Sequence, residues 1–153
     1  DGLIVVDLPP EEDDELCHPS LTAGLHWIRL VTPTTDAGRI QTVLRHSSGF
    51  VYYVSITGIT GTRSADYAEL ETEIKKIKDS ADIPVVVGFG IQRPDQVMQI
   101  VKHADAAVVG SALIREIEQT LETAGNISTA VIDPVLKKVN ELSSALATQQ
   151  VDP

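Results

Sequence analysis

Two glycine-containing segments follow apolar runs that read as buried strands, and these segments have the clearest chemical use. The run at residues 83–90 (IPVVVGFG) closes on a glycine pair, and the run at residues 106–109 (AAVV) is followed by Gly110 and Ser111. Glycine lets backbone N–H groups approach a ligand, because no Cβ stands in the way. A helix predicted from Ala112 adds its own N-terminal N–H groups and dipole, which favour a phosphate. The pattern predicts an anion site, and tight turns without a ligand are the alternative.

A third glycine-rich segment lies at residues 57–62 (TGITGT), after a predicted strand at residues 50–55. It continues as a polar loop to residue 65, and connections between a strand and a helix are usually only a few residues long. A long polar loop at the carboxyl end of a strand is a candidate lid over a binding site.

Three side chains near these segments are candidates for contact with a ligand. Tyr52 and Tyr53 are adjacent on a predicted strand, so they point to opposite faces and only one of them can reach a ligand. Asp7, predicted as the last residue of the first strand, is either an acid of the site or a strand-end aspartate that holds the next loop by local hydrogen bonds. Ser111 has no evident base partner, which indicates a phosphate ligand and not a nucleophile.

The other ionisable residues have no metal-binding or nucleophilic pattern. The acidic run at residues 11–15 is interpreted as the solvated start of a helix, and Cys17 beside it has no setting that would favour a thiolate. The four histidines lack the spacing of zinc ligands and are interpreted as structural or surface groups; they are His18, His26, His46 and His103.

Composition bounds the class of protein. The chain has 153 residues, 42 % of them hydrophobic and 22 % charged, which is enough for one domain with a core. The net charge of −10 argues against nucleic acid and anionic membranes as partners. The one cysteine excludes an internal disulfide, and no apolar run approaches the roughly 20 residues of a membrane span, so we expect a cytoplasmic protein. Because Asp1 leads directly into a strand, we expect a piece of a longer protein or a processed chain.

The periodicity of the sequence predicts strands that alternate with helices. Strands are predicted at residues 2–7, 25–31, 50–55, 84–87 and 105–109, and helices at residues 11–23, 36–45, 66–80, 94–103, 112–122 and 129–147. This alternation is typical of an α/β fold with a parallel sheet. Five strands do not close an eight-stranded barrel, so the pattern alone leaves an open doubly wound sheet and the C-terminal part of a barrel as alternatives.

A family resemblance favours the barrel. The chain resembles the alpha subunit of tryptophan synthase, in segments that run from the first strand to the helix after the last. The matching segments are VVDLPPEE at residues 5–12, TPTT at 32–35, FVYYVSITGITG at 50–61, VGFGI at 87–91 and VVGSALI at 108–114. The resemblance implies a parallel (β/α)8 TIM barrel, of which this chain supplies about five β/α units, strands four to eight. Residues 1–147 are then the C-terminal part of the barrel, and residues 148–153 are predicted to be a disordered tail.

The resemblance also implies an activity in tryptophan biosynthesis. The family is a carbon–carbon lyase that cleaves indole-3-glycerol phosphate to indole and glyceraldehyde 3-phosphate by a retro-aldol step. It needs no cofactor of its own. Its partner is a beta subunit that carries pyridoxal phosphate, in an alpha2-beta2 heterotetramer.

The family's site residues carry over to positions of this chain. The resemblance implies substrate phosphate binding by four of them, Gly61, Gly90, Gly110 and Ser111. It implies supporting roles for Tyr52, Asp7 and Thr60, and a substrate pocket that includes Phe89 and Leu30. The family's catalytic glutamate and aspartate come from an earlier strand and its loop, and neither is in this chain, so the chain alone is expected to be inactive.

Two other functions stay open at this stage. The chain is a non-catalytic phosphate-binding module if only the phosphate half of the site is kept. Alternatively, open apolar edges at the first and last strands favour self-association of the fragment into a barrel-like dimer.

Overall fold

The computed structural model describes residues 1–55, 67–88, 90–124 and 131–147. In these ranges, five parallel strands form one sheet in the sequential order β1-β2-β3-β4-β5. The strands are β1 (Gly2–Ile4), β2 (His26–Val31), β3 (Val51–Val54), β4 (Val85–Gly88) and β5 (Ala106–Val108). The predicted alternation of strands and helices is confirmed.

Six α-helices accompany the described part of the sheet. They are α1 (Cys17–Thr22), α2 (Ala37–Leu44), α3 (Tyr67–Lys78), α4 (Pro94–Ile100), α5 (Ser111–Ala124) and α6 (Ile132–Ala147). Two sequence signals explain where helices begin: Asp36 caps α2 by accepting a hydrogen bond from the Arg39 N–H at 2.8 Å, and Pro94 is the first residue of α4. None of the described helices is long and apolar enough to cross a membrane.

The first strand is shorter than predicted. The prediction extended it to Asp7, whereas β1 ends at Ile4 and Asp7 lies in a turn three residues later. As an edge strand, β1 pairs only with β2, from Gly2 opposite His26 to Ile4 opposite Ile28. Beyond that register none of the described residues pairs with the chain in an extended form, and it turns toward Pro9.

The predicted helix at residues 11–23 is wrong in its extent. The segment forms a 3-10 turn at Pro10–Glu12, then turns, and α1 begins only at Cys17. Pro19 supplies the reason. In a continuous helix from residue 11 its ring would clash with the carbonyl of Glu15, whereas in the first turn of α1 proline is tolerated.

One face of the sheet carries the helices and the core. Val31, Tyr53, Val85 and Val87 point to this face and pack with buried side chains of α2, α3 and α4, together with Leu142 of α6. On α3 the predicted apolar stripe is buried and consists of Leu70, Ile74 and Ile77. Sequential strand order with helices gathered on one face is the arrangement of a barrel wall, because a doubly wound sheet reverses its order and carries helices on both faces.

The other face of the sheet is more open. Leu30 and Tyr52 are neighbours in register on this face, and both are partly buried. Val86, next in register, is buried, while Ile4 near the β1 edge is 45 % exposed. This face is called the inner face below. It is apolar, and the residues just named on it do not belong to the core cluster that the described helices form on the other face.

Candidate functional site

The carboxyl ends of three neighbouring strands meet at one edge of the sheet. Val54 of β3 lies opposite Gly88 of β4, and Gly88 lies opposite Val108 of β5. Parallel strands place their following residues at the same edge, so Gly90 and Gly110 both come after this common line. The sheet brings together the two glycine segments that the sequence singled out.

Helix α5 begins directly at this edge. Ser111 is its first residue, and the N–H groups of Leu113 and Ile114 donate to the Gly110 carbonyl at 2.9 and 3.2 Å, which closes the first turn. The N–H groups of Ser111 and Ala112 come before these donors and have no acceptor within a helix. Gly110 and Ser111 are exposed, and a Cβ built on Gly110 would meet no atom of the described residues within 4 Å. Open space therefore lies beside the positive end of a 14-residue helix.

Gly90 has a backbone conformation that side chains disfavour. Its φ is 71°, in the left-handed region, and the residue is partly buried. A glycine is required here by the turn itself, whether or not a ligand binds. A substitution at Gly90 would consequently strain the turn and could not report on a ligand alone.

Tyr52 lies across the backbone of β4 on the inner face. A Cβ built on Gly88 would overlap the Tyr52 hydroxyl and ring, so the tyrosine occupies the space that a larger residue at position 88 would need. Burial raises the pKa of the Tyr52 phenol, which keeps it protonated and able to donate a hydrogen bond near neutral pH. Leu30 is its neighbour in register on β2.

Tyr53 belongs to the other face. It is 2 % exposed within the helix-side core, and burial, helped by the carboxylates of Glu73 and Glu69, raises its pKa to about 12. The prediction that one tyrosine faces inward and the other packs under helices is confirmed.

Asp7 lies outside the strand in which it was predicted, and three other residues of the predicted site are not among the described residues. Asp7 is exposed in the turn after β1 and is not the last residue of a strand. Thr60, Gly61 and Phe89, together with the lid predicted at residues 57–65, lie outside the described residues. Their assignments stay predictions.

The acidic run contains a buried member that sequence reasoning missed. Asp13 is 5 % exposed, and its Oδ1 accepts a hydrogen bond from Nη2 of Arg29, which is 4 % exposed on β2. Arg29 Nη1 donates to the Leu8 carbonyl at 2.8 Å. The only signal in the sequence is an arginine inside an apolar strand, because a buried arginine needs an anionic partner. The exposed Glu11 pairs with Arg39, and this hydrogen bond lowers the pKa of Glu11 to about 2.

Histidines that are far apart in the sequence meet beside Asp13. His46 Nδ1 lies 2.9 Å from Asp13 Oδ2, and His18 Nε2 lies 3.4 Å from His46 Nδ1. Buried Cys17 faces the same place, and burial raises the pKa of its thiol, in line with the expectation that it is not a free thiolate. Among the described residues, Asp13, Cys17 and His46 form the one group with donor atoms close enough to hold a metal ion.

Comparison with known proteins agrees with the barrel-wall geometry. The family model for the tryptophan synthase alpha chain matches residues 1–145. A solved tryptophan synthase subunit alpha from Legionella pneumophila str. Paris is 35 % identical, with a TM-score of 0.75 over 99 % of this chain and 53 % of that one.

Two further solved structures give the same result. The subunit alpha from Campylobacter jejuni is 33 % identical, with a TM-score of 0.76 over 92 % of this chain and 53 % of that one. The A-subunit from Pyrococcus furiosus is 30 % identical, with a TM-score of 0.76 over 94 % and 55 %. The chain spans about half the length of these relatives, so its five strands are part of a (β/α)8 barrel and not an open doubly wound sheet. By sequence match and by fold, the chain belongs to the tryptophan synthase alpha chain family.

Proposed function

We propose that this chain is the C-terminal portion of a tryptophan synthase alpha subunit and binds the phosphate end of indole-3-glycerol phosphate. The whole protein acts in tryptophan biosynthesis as a lyase that releases indole and glyceraldehyde 3-phosphate. Membership of the family supports the reaction class. The single structural observation that carries the phosphate assignment is the open space in front of the α5 N-terminus at Gly110.

The phosphate site follows from backbone chemistry. The chain has a net charge of −10, so an anion needs a local source of positive potential. The N–H groups of Ser111 and Ala112, which have no acceptor within the helix, supply that potential together with the helix dipole and without a cationic side chain. The Ser111 hydroxyl can donate one more hydrogen bond. Gly61 and Gly90 complete the proposed set by allowing close backbone approach.

The indole end of the substrate is assigned to the inner face. Leu30 and the ring of Tyr52 provide adjacent apolar surface there, with Phe89 as the third proposed member. A protonated Tyr52 hydroxyl beside Gly88 is placed to orient the glycerol portion between the indole and phosphate ends. Asp7 and Thr60 are proposed to support the site from its neighbouring loops.

Catalysis requires residues that lie outside this chain. Retro-aldol cleavage needs one group to take a hydroxyl proton and another to protonate the indole ring. We assign both to the family's carboxylate pair in earlier strands, so the chain alone is expected to bind substrate without turnover. No cofactor is proposed for this subunit. Indole would pass to a beta subunit that holds pyridoxal phosphate, in an alpha2-beta2 assembly in the cytoplasm.

A second candidate function is self-association of the free chain. Large apolar side chains are exposed on the first strand and on the last two helices. They include Ile4 at 45 % beside the β1 edge, and Ile114, Ile132, Leu136 and Val139 at 41–59 % on α5 and α6. Monomeric proteins rarely leave such surface open. Either the rest of the barrel or a second copy of the chain would cover it.

Calorimetric titration of the purified chain with glycerol 3-phosphate, and then with an indole-alkyl phosphate, tests the proposal. Gly110→Val is the informative variant, because its side chain would enter open space without a clash and would block the approach of a phosphate. We expect the parent chain to bind and the variant to lose affinity by roughly tenfold or more, which corresponds to about 1.4 kcal/mol of binding free energy.

A control variant places the same valine side chain at the opposite end of the strands. Ala23 is exposed at the end of α1, separated from the start of β2 by two residues, so Ala23→Val should bind glycerol 3-phosphate as the parent chain does. Equal affinity in Gly110→Val and the parent chain would reject the phosphate assignment. No binding by a well-folded parent chain would mean that the site needs the earlier strands.

A further inference from the structure

A compact group of metal-ligating side chains lies away from the proposed substrate site, on the helix side of β1 and β2. Donor atoms of Asp13, Cys17 and His46 all lie within 4.8 Å of one another. Asp13 and Cys17 are buried, at 5 % and 0 % exposed. His46 comes from the segment after α2 and keeps 35 % of its side chain exposed. The group therefore has a buried floor and a side that is open to solvent.

The donor set matches the chemistry of zinc. Thiolate sulfur, imidazole nitrogen and carboxylate oxygen are the ligands that Zn²⁺ takes in proteins. In a tetrahedral site with those bond lengths, ligand atoms lie about 3.3–3.5 Å apart. His46 Nδ1 and Asp13 Oδ2 are 2.9 Å apart, so only a small outward shift would admit an ion between them.

His18 lies next to this three-residue group and is the candidate for a fourth ligand. Its Nε2 lies 3.4 Å from His46 Nδ1, and the two rings meet edge to face with centroids 4.8 Å apart. Its other nitrogen, Nδ1, lies 2.8 Å from Asp14 Oδ1. A carboxylate on Nδ1 holds the proton there and leaves the Nε2 lone pair directed at the cluster. This is the arrangement that orients metal-bound histidines in known sites.

We propose that Asp13, Cys17, His18 and His46 form a binding site for a zinc-like divalent transition metal ion, with Asp14 as the carboxylate that orients His18. The site is separate from the substrate site, because its residues precede β2 or follow α2 and none of them belongs to the glycine segments after β3, β4 and β5. Its function is structural, since all four protein ligands close a tetrahedral shell.

The Asp13–Arg29 pair is compatible with an ion. Arg29 uses Oδ1 of the carboxylate, whereas Oδ2 faces His46. One carboxylate can thus serve the buried guanidinium with one oxygen and a metal with the other. Asp14 lies beside His18, and Glu12 and Glu15 of the same short segment are also exposed, so negative charge close to the cluster in the chain raises the local concentration of cations.

An ion here would cross-link a segment that the core holds weakly to the end of α2, whose buried side chains belong to the core. The chain between β1 and β2 contains only a 3-10 turn and the six-residue α1, and many of its residues are exposed. His46 ties the end of α2 to that segment. Because an unfolded chain holds no such site, binding the ion should stabilise the folded state.

The test is a titration of the purified, metal-stripped chain with Co²⁺ and then with Zn²⁺ as the competitor. Cys17 is the one cysteine of the chain, so a thiolate-to-cobalt charge-transfer band would identify it as a ligand without any variant. We expect one ion per chain, the charge-transfer band, its loss when Zn²⁺ is added, and a higher Tm with Zn²⁺.

Variants separate this site from scattered surface binding. Asp14→Asn should weaken Co²⁺ binding by roughly 10–100-fold, and Cys17→Ser and His46→Gln by more than Asp14→Asn does. His26→Gln and His103→Gln remove histidines outside the cluster and should leave the affinity unchanged. Asp13 is left intact, because its removal would strand the Arg29 guanidinium.

Two results would overturn the proposal. One is the absence of a charge-transfer band at saturating Co²⁺ in the folded parent chain. The other is equal affinity in Cys17→Ser, His26→Gln and the parent chain, which would mean that the chain carries adventitious surface ions only.

Discussion

At the residue scale, Gly88 and Tyr52 depend on each other. The ring of Tyr52 fills the volume in which any side chain at position 88 would stand. Both lie near the carboxyl ends of their strands, close to the turn at Gly90. The contact therefore positions Tyr52, a residue of the proposed pocket, and requires a residue without a side chain at the end of β4. The sequence analysis ended the predicted strand at residue 87 and placed Gly88 just after it, whereas Gly88 is the last residue of β4 and Tyr52 on β3 occupies the space beside it.

Gly88→Ala should therefore destabilise the chain by about 1–3 kcal/mol, the usual cost of overpacking a site that cannot expand. Tyr52→Val in the same chain removes the ring and should restore part of this loss. The measurement is the free energy of urea unfolding for both single variants and the double variant. Strictly additive costs would contradict the contact, since coupled neighbours give a non-zero interaction energy.

At the element scale, Asp105 joins the starts of β4 and β5. Its Oδ2 accepts a hydrogen bond from the Val85 N–H at 2.8 Å, and its Oδ1 accepts one from Lys78 Nζ at 3.0 Å. Partial burial alone would raise the pKa of this carboxyl. The two hydrogen bonds outweigh burial, and the pKa is lowered from 3.8.

The sign of the pH dependence follows from that shift. A carboxyl with a lowered pKa in the folded state stabilises the fold at pH values above its unfolded pKa of 3.8, and this contribution is lost as the pH falls below 3.8 through the folded value. Asp105→Asn removes the titrating group and should cost about 1 kcal/mol at neutral pH. The difference from the parent chain should shrink below pH 3.8.

Urea unfolding at pH 7 and at the lowest pH where the chain stays folded would check this. Asp79→Asn is the matched control, because the Asp79 carboxylate bonds to Lys75 on the surface and such pairs contribute less than about 1 kcal/mol. A difference between Asp105→Asn and the parent chain that stays constant with pH would show that the ionised carboxylate has no stabilising role.

At the scale of the whole molecule, the described fold is one part of a barrel wall. The helix-side core is complete enough to bury Trp27, Ile74, Val85 and Ile100 at 0–1 % exposed. The inner face and the outer surface of α6 are the parts that lack cover. The solved relatives are about twice as long, and this chain covers 53 % of the Legionella pneumophila subunit alpha.

The exposed stripe on α6 predicts self-association of the free chain. Ile132, Leu136 and Val139 recur at helical spacing and are 41–59 % exposed. Leu136→Lys should shift the chain toward the monomer in sedimentation at several protein concentrations, because a charge would have to be buried in the contact.

Ser144→Lys makes the same change of charge on another side of α6 and should leave the association unchanged. A parent chain that sediments as a monomer at all concentrations would contradict the prediction. In that case the exposed stripe would be covered only by the remaining part of the barrel.

Patterns that are local in the sequence determined the fold of this protein and the candidate phosphate site. Runs of β-branched residues and helical stripes specify five strands that alternate with helices, because burial on both faces and burial on one stripe leave different periods. The sequential order of the strands did not follow from these patterns alone. Glycines directly after the strands predict where the candidate site lies, since parallel strands end at one edge of the sheet. The helix at residues 11–23 was mispredicted although Pro19 was visible, and the reason is equally local.

Contacts between distant residues were decided only by the tertiary structure. Arg29 on β2 pairs with Asp13, and that pairing buries one residue of an acidic run that was predicted to be solvated throughout, while its other four acids stay exposed. The same packing brings His18, His46 and Cys17 together, across separations that no ligand spacing describes. It also places Tyr52 over Gly88. Such contacts depend on how the sheet twists and the helices pack, and those are properties of the whole chain and not of any window along it.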